Sequence, residues 1–264
     1  MQSFDSDGVR IAYVDAAPAS GAGDPVFLIH GFGSNHAVNW VNPMWVKTLT
    51  HAGYRAVALD NRGHGQSDKL YDPAAYTPPV MAEDARRLLD HLQIDRADAM
   101  GYSMGARIAA TLALNHPERV RSLLIGGLGI HLVEGEGLPP GIADAMEALS
   151  LDDLTDPTER MFRAFAEQTK SDRKALAACM RGSRRNLSRT EAAQIFAPTL
   201  IAVGTKDDIA GSPQELAALM PNARALDIPN RDHNVAVGDM NHKRGVLAFS
   251  VPNDRSPGAE VRLS

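Results

Sequence analysis

Ser103, His233 and an aspartate at position 207 or 208 are the residue types that together turn a serine hydroxyl into a nucleophile. A hydroxyl attacks poorly until a base takes its proton, and a histidine base needs a carboxylate to hold its tautomer. Ser103 is the middle of Gly101-Tyr102-Ser103-Met104-Gly105, between the apolar run Ala97–Met100 and an Ala-rich helical pattern through Ala106, Ile108, Ala109, Leu112 and Leu114. His233 stands in Pro229-Asn230-Arg231-Asp232-His233-Asn234, which reads as a loop between the last strand and the last helix. Asp207 and Asp208 follow the apolar run Thr199–Val203 and Gly204. Loop aspartates also cap helices, so one of the pair is spare for that work. The loop after the run Val120–Ile125, Gly126-Gly127-Leu128-Gly129, has no acid to compete for the role.

These residues need elements to position them. A strand that reverses straight into a helix bends sharply at one residue, which is forced toward positive φ. Gly101 and Gly105 lack a Cβ and let strand and helix approach, leaving Ser103 at the tip of a nucleophile elbow. The five-residue pattern alone arises by chance in roughly one chain in ten of this length, so its weight comes from the flanking strand and helix. Elsewhere, Asp7-Gly8 between two short runs predicts a hairpin over Phe4–Val14. Continuous apolar runs at Val26–Ile29, Ala56–Asp60, Val120–Ile125, Thr199–Val203 and Ala223–Ile228 predict further strands, mostly buried and parallel. Helical patterns cover Trp45–Ala52, Met81–Leu92, Pro213–Met220 and Val235–Phe249. From Leu128 to Ile195 there are only helical patterns broken by Gly and Pro. The expected fold class is α/β: a mostly parallel sheet of about eight strands, its first hairpin antiparallel, flanked by helices. Residues 1–127 and 196–264 form its core, 128–195 form an inserted helical cap, and the polar tail 251–264 predicts no element.

With 264 residues, 44% hydrophobic and 22% charged, the chain can bury a sizeable core and suits one large domain with an insertion. A net charge of -5 gives no basis for a nucleic-acid partner. The lone cysteine, Cys179, excludes an intramolecular disulfide and Cys-based zinc or iron–sulfur sites. No signal peptide is visible at Met1-Gln2-Ser3-Phe4-Asp5, and no apolar run approaches the ~20 residues of a membrane span, so the expected location is cytoplasmic. The histidines lack metal-site spacing, and the loop after Val26–Ile29 lacks G-x-G-x-x-G. No cofactor or metal is expected. The expected partner is a small molecule; nothing in the chain specifies a protein partner.

Beside the elbow and Asp232-His233 stand His30-Gly31-Phe32-Gly33 after the third strand, Asp60-Asn61-Arg62-Gly63-His64-Gly65-Gln66-Ser67 after the fourth, and Gly204-x-x-Asp207. Together these resemble the α/β-hydrolase superfamily from about Phe4 to Phe249, and within it a capped serine esterase. The resemblance implies an α/β-hydrolase sheet and a catalytic triad of Ser103, Asp207 and His233, with Asp207 preferred over Asp208 as the third residue past the strand-end glycine. It also implies an oxyanion hole made by the backbone N–H groups of Phe32 and Met104. Serine at the elbow, where some relatives carry aspartate, argues against epoxide opening and halide displacement. The implied activity is hydrolysis of small-molecule carboxylic esters through an acyl-enzyme, with thioesters, lactones, amides and the carbon–carbon bonds of diketones open to the same chemistry. The alternative is a hydrolase-fold small-molecule sensor with slow or incidental turnover. His30, Arg62, His64 and Asp68 read as structural, and Asp98, His91 and His116 as surface or helix-end residues. In the cap, Leu138, Met146, Phe162 and Phe165 suit an apolar acyl pocket. Lys170, Arg173, Lys174, Arg181, Arg184, Arg185 and Arg189 suit a basic patch attracting anionic substrates, or more plainly a solvated charged face.

Overall fold

The computed structural model describes residues 1–135 and 138–250. The tail for which the sequence predicts no element lies outside them. β1 (Gln2–Ser6) and β2 (Val9–Ala16) form the predicted hairpin, turning through Asp7 and Gly8 at φ of 58° and 82°. Two successive positive-φ residues match the twist of a tight hairpin. Strands and helices then alternate through β3 (Pro25–Ile29), α1 (Trp45–His51), β4 (Arg55–Leu59), α2 (Pro78–His91), β5 (Ala97–Tyr102), α3 (Met104–Asn115) and β6 (Val120–Gly126). Next come α4 (Gly141–Glu147), α5 (Pro157–Gln168), α6 (Arg173–Gly182) and α7 (Arg189–Ala193), with no strand between β6 and the following strand among the described residues. The alternation resumes with β7 (Thr199–Gly204), α8 (Pro213–Ala217), β8 (Ala223–Ile228) and α9 (Met240–Ser250).

The eight strands form one sheet in the order β1-β2-β4-β3-β5-β6-β7-β8. The pairs β1/β2 and β2/β4 are antiparallel and the rest parallel. The fold class is the one the sequence predicts. Successive side chains of a strand point to opposite faces, so β3 divides its apolar run between two cores. Phe27 and Ile29 join Val57, Leu59 and the inner faces of α2 and α3, whereas Val26 and Leu28 pack with Trp40, Trp45, Leu49 and Val246. Burial on both faces is why these strands read as continuous apolar runs rather than alternating ones.

The segment between β6 and β7 meets the end of the sheet that carries Ser103. Asp156 accepts from the amides of Thr158 and Glu159, and Pro157 opens α5, so the start of this helix is fixed locally. Its far end is tied down where the Thr169 hydroxyl donates to the Gly33 carbonyl at 3.1 Å. From α6, the Cys179 sulfur lies 3.6 Å from that of Met104. The 128–195 helices therefore roof the elbow.

Four expectations need correction. The last helix starts at Met240, not Val235: Ala236–Gly238 makes a separate turn, and Asp239 accepts from the Asn241 amide to open α9. α8 ends at Ala217, short of Met220. Asp98 is not a surface residue; at 2% exposed, its carboxylate takes hydrogen bonds from the Arg121 guanidinium and the Ser122 hydroxyl. The cationic stretch is in part an ion-paired face rather than a free basic patch. Arg181 pairs with Asp144 and Glu147, Arg185 with Glu191 and Arg189 with Glu134, while Arg173 donates to the Met146 and Ala148 carbonyls. Acidic residues thus pair with three of its seven cations, Arg181 and Arg189 meeting acids more than thirty residues away.

Candidate active site

Ser103 sits between β5 and α3 at φ 54° and ψ −116°, a backbone setting rarely held by a residue with a side chain. Its amide donates to the Gly126 carbonyl at 2.8 Å, which holds the turn against β6. The flanking glycines are required by contact. A Cβ on Gly101 would lie 2.1 Å from the Gly105 carbonyl oxygen, and one on Gly105 would lie 2.0 Å from that of Ile29. Both distances are far inside van der Waals contact, so the elbow exists only because these positions have no side chain.

His233 approaches from the loop after β8. Its Nδ1 is 2.8 Å from Asp207 Oδ2 and its Nε2 is 3.1 Å from the Ser103 hydroxyl oxygen. A carboxylate accepts only, so Nδ1 carries the proton and Nε2 is the acceptor facing the serine. The other oxygen of Asp207 accepts from the Ile209 and Ala210 amides at 3.0 Å each, which aims the carboxylate. Asp208 is exposed, and the carboxylate on the ring is that of Asp207. The loops bearing Asp207 and His233 are tied together, Lys206 donating from its amide to the Arg231 carbonyl and Asn230 to the Thr205 hydroxyl.

Phe32 and Met104 flank the serine. Neither backbone N–H has a protein acceptor among the described residues, and Met104 is the first residue of α3, where helical amides have no intrahelical partner. The Phe32 loop is held from behind. Asn39 accepts the Gly31 amide at 2.8 Å, and Asn61 donates from its side chain to the His30 carbonyl and from its amide to His30 Nε2. His30 and His64 stack edge to face at 5.2 Å between centroids beneath Phe32. Burial lowers the pKa of His30 to about 4 and that of His64 to about 3, so both are neutral. Burial would raise the Asp60 carboxyl, yet hydrogen bonds from the His36 ring and from the His36 and Gln66 amides, with the nearby His30, hold it at about 2. Arg62 makes a buried bidentate pair with Asp84. Residues 30, 62 and 64 thus support the site without touching Ser103.

Three supporting residues carry no sequence signal. Tyr102, buried under the imidazole, donates its hydroxyl to the His233 carbonyl at 2.6 Å; burial raises its pKa, so it remains a donor. The second is Asn39. The third is Arg107, one turn into α3. Only the position of Tyr102 inside G-x-S-x-G marks it, and that pattern leaves its residue type open. Ser103 and His233 open onto a cavity of about 660 Å³ walled by Phe162, Phe165, Val235 and Val237. Among the described residues, no cluster of three or more His, Cys, Asp or Glu is arranged to hold a metal ion. No helix among them is long and apolar enough to cross a membrane.

An eight-stranded sheet with an elbow serine after β5 and a histidine after β8 is the arrangement of the α/β-hydrolase fold, and it is the fold this chain has. The family model described as alpha/beta hydrolase fold matches residues 24–134. A crystal structure of a hydrolase from Pseudomonas aeruginosa is similar at a TM-score of 0.72 and 26% identity, covering 94% of this chain and 97% of that one. Est816, described as an N-acyl homoserine lactone degrading enzyme, is similar at a TM-score of 0.72 and 25% identity, covering 95% of this chain and 100% of its own. In sequence, 2-hydroxymuconate semialdehyde hydrolase of Pseudomonas sp. (strain CF600) is 41% identical over 120 residues, 45% of this chain and 42% of the relative. That match spans less than half the relative's length.

Proposed function

We propose that the protein is a serine hydrolase that cleaves carboxylic esters of small molecules through an acyl-enzyme on Ser103. The observation that carries this reading is the unbroken relay from Asp207 through His233 to the Ser103 hydroxyl, at 2.8 and 3.1 Å. In this mechanism His233 Nε2 takes the Ser103 proton as Oγ attacks the ester carbonyl carbon. The resulting oxyanion is met by the Phe32 and Met104 amides, aided by the positive end of α3. Collapse breaks the bond to the alcohol oxygen, which leaves with the proton from His233. Water, activated by the same nitrogen, then attacks the acyl-enzyme, and the acid departs. Asp207 holds the tautomer and stabilises the imidazolium throughout.

In this reading the 128–195 segment acts as a cap whose α5 supplies the aromatic wall of the cavity. The likeness to a lactone-degrading enzyme over nearly the whole chain is consistent with cyclic esters, which need no new residues. The match to 2-hydroxymuconate semialdehyde hydrolase supports hydrolase chemistry, and its partial cover leaves that substrate unassigned. A sensor would need the cavity but not the relay, so the aligned relay favours the enzyme.

The test is turnover of benzyl acetate by wild type and by Ser103→Ala. Loss of the serine should cost roughly a millionfold in kcat. Equal turnover by the two proteins would end the assignment.

A further inference from the structure

Ser103 borders two spaces of unequal size. Besides the cavity of about 660 Å³, there is a chamber of about 60 Å³ lined by Phe32, Met104, Leu128, Leu138, Met180 and the cationic Arg184. Proton transfer sorts the two. The leaving-group oxygen must come within hydrogen-bond reach of His233 Nε2, and His233 lines the large cavity and not the small chamber. The alcohol half of an ester therefore occupies the large cavity and the acyl half the small chamber. At roughly 10–15 Å³ per water-sized group, the chamber of about 60 Å³ holds about four to six such groups. It takes a short acyl chain.

Arg107 also lines this chamber, and it is only 8% exposed. Its guanidinium donates to the Leu132, Arg185 and His131 carbonyls and to the Asn186 side-chain oxygen, all of them neutral. No carboxylate pairs with it among the described residues. Burial and the nearby Arg184 lower its pKa to about 10, so it is still charged at neutral pH. Five N–H donors leave it capacity beyond these acceptors. Buried charges are ordinarily paired, because an isolated one gives up its hydration for nothing in return. Here a cation lines the chamber that Ser103 borders, and among the described residues no anion pairs with it.

We propose that the small chamber is an acyl subsite for a short chain ending in a carboxylate, held by Arg107, so that the preferred substrates are half-esters of short dicarboxylic acids. This rests on the ester-hydrolase reading. Hydrolysis of such a half-ester consumes one water and yields the alcohol and the dicarboxylate, with nothing oxidised or reduced.

Monobenzyl succinate and benzyl levulinate share an alcohol and differ at the acyl end by a carboxylate against a methyl ketone of similar shape. With wild type, kcat/KM for monobenzyl succinate should be at least tenfold higher, the difference lying in KM. Arg107→Met should bring the ratio near one. Because Arg107 also ties α3 to two loops, a measurement on wild type alone accompanies the variant. Succinate should inhibit benzyl levulinate hydrolysis competitively at a concentration at least tenfold below that of succinamide. Ser103-dependent turnover of benzyl levulinate with no preference for the succinate ester, or equal inhibition by succinate and succinamide, overturns the subsite and leaves the hydrolase reading standing. Turnover indifferent to Ser103→Ala overturns both.

Discussion

The Tyr102 hydroxyl reaches the His233 carbonyl from inside the core, tying the backbone that carries the imidazole to the strand that leads into Ser103. Losing that bond strands a buried carbonyl and frees the imidazole to tilt, at a cost of about 1–3 kcal/mol. Tyr102→Phe should therefore lower kcat about tenfold and reduce stability by a similar energy, read by steady-state kinetics and urea unfolding. An unchanged kcat would reduce Tyr102 to a packing residue. The two acids separate more sharply. Asp207→Asn should cost about 10⁴ in kcat through the wrong tautomer, while Asp208→Asn, altering an exposed carboxylate, should stay near wild type. The reverse result would exchange their roles. The relay was legible in the sequence because serine, histidine and aspartate announce their chemistry by type and by position at strand ends. Tyr102 and Arg107 were not. Each acts through a contact with a segment 131 or up to 79 residues away, and a tyrosine or arginine in a helical or strand pattern looks like any other until that segment arrives.

At the level of elements, apolar runs located β3 to β7 within a residue or two, since burial on both faces leaves an unmistakable run, while the Asp7-Gly8 turn located β1 and β2. The last helix was harder. Val235, Val237 and Val246 continue one apolar pattern, but Asp239 takes an extended backbone and restarts the helix, a local choice that hydrophobic periodicity does not encode. The cationic stretch after α5 misled for a related reason: charge in sequence says nothing of the acids that topology brings opposite it. The elbow is the most constrained element. A methyl at residue 101 would overlap the backbone of α3 by more than an ångström, and neither partner is a flexible side chain that moves aside. Gly101→Ala should destabilise by about 3 kcal/mol through overpacking. For a chain of this size that is a fall of roughly 10 °C in Tm, measurable by differential scanning calorimetry. A variant within about 2 °C of wild type would show that strand and helix can separate at no cost.

Across the whole molecule, burial sets the response to acid. His30, His64 and His242 are fully enclosed, and burial lowers their pKa values to about 4, 3 and 4. Unfolded, each would titrate near 6.5. A group held neutral in the fold binds fewer protons there than in the unfolded chain, so stability rises with pH through this window and falls as pH drops below about 6.5. The loss runs at up to about 1.4 kcal/mol per pH unit for each histidine until the folded pKa values are reached. Between pH 7 and 5 the three together remove about 5 kcal/mol, comparable with the whole stability of many domains. Asp60 acts in a lower window: its depressed pKa of about 2 contributes stability that is full above 3.8 and lost as pH falls toward 2. Acid unfolding should therefore begin with the histidines, well above the range of the carboxylates. Urea midpoints at pH 7.5, 6 and 5 should fall steadily, and His64→Gln, which removes one of the three titrations, should flatten the slope by about a third. A midpoint constant from pH 7.5 to 5 would mean that the buried imidazoles take up protons without opening the fold.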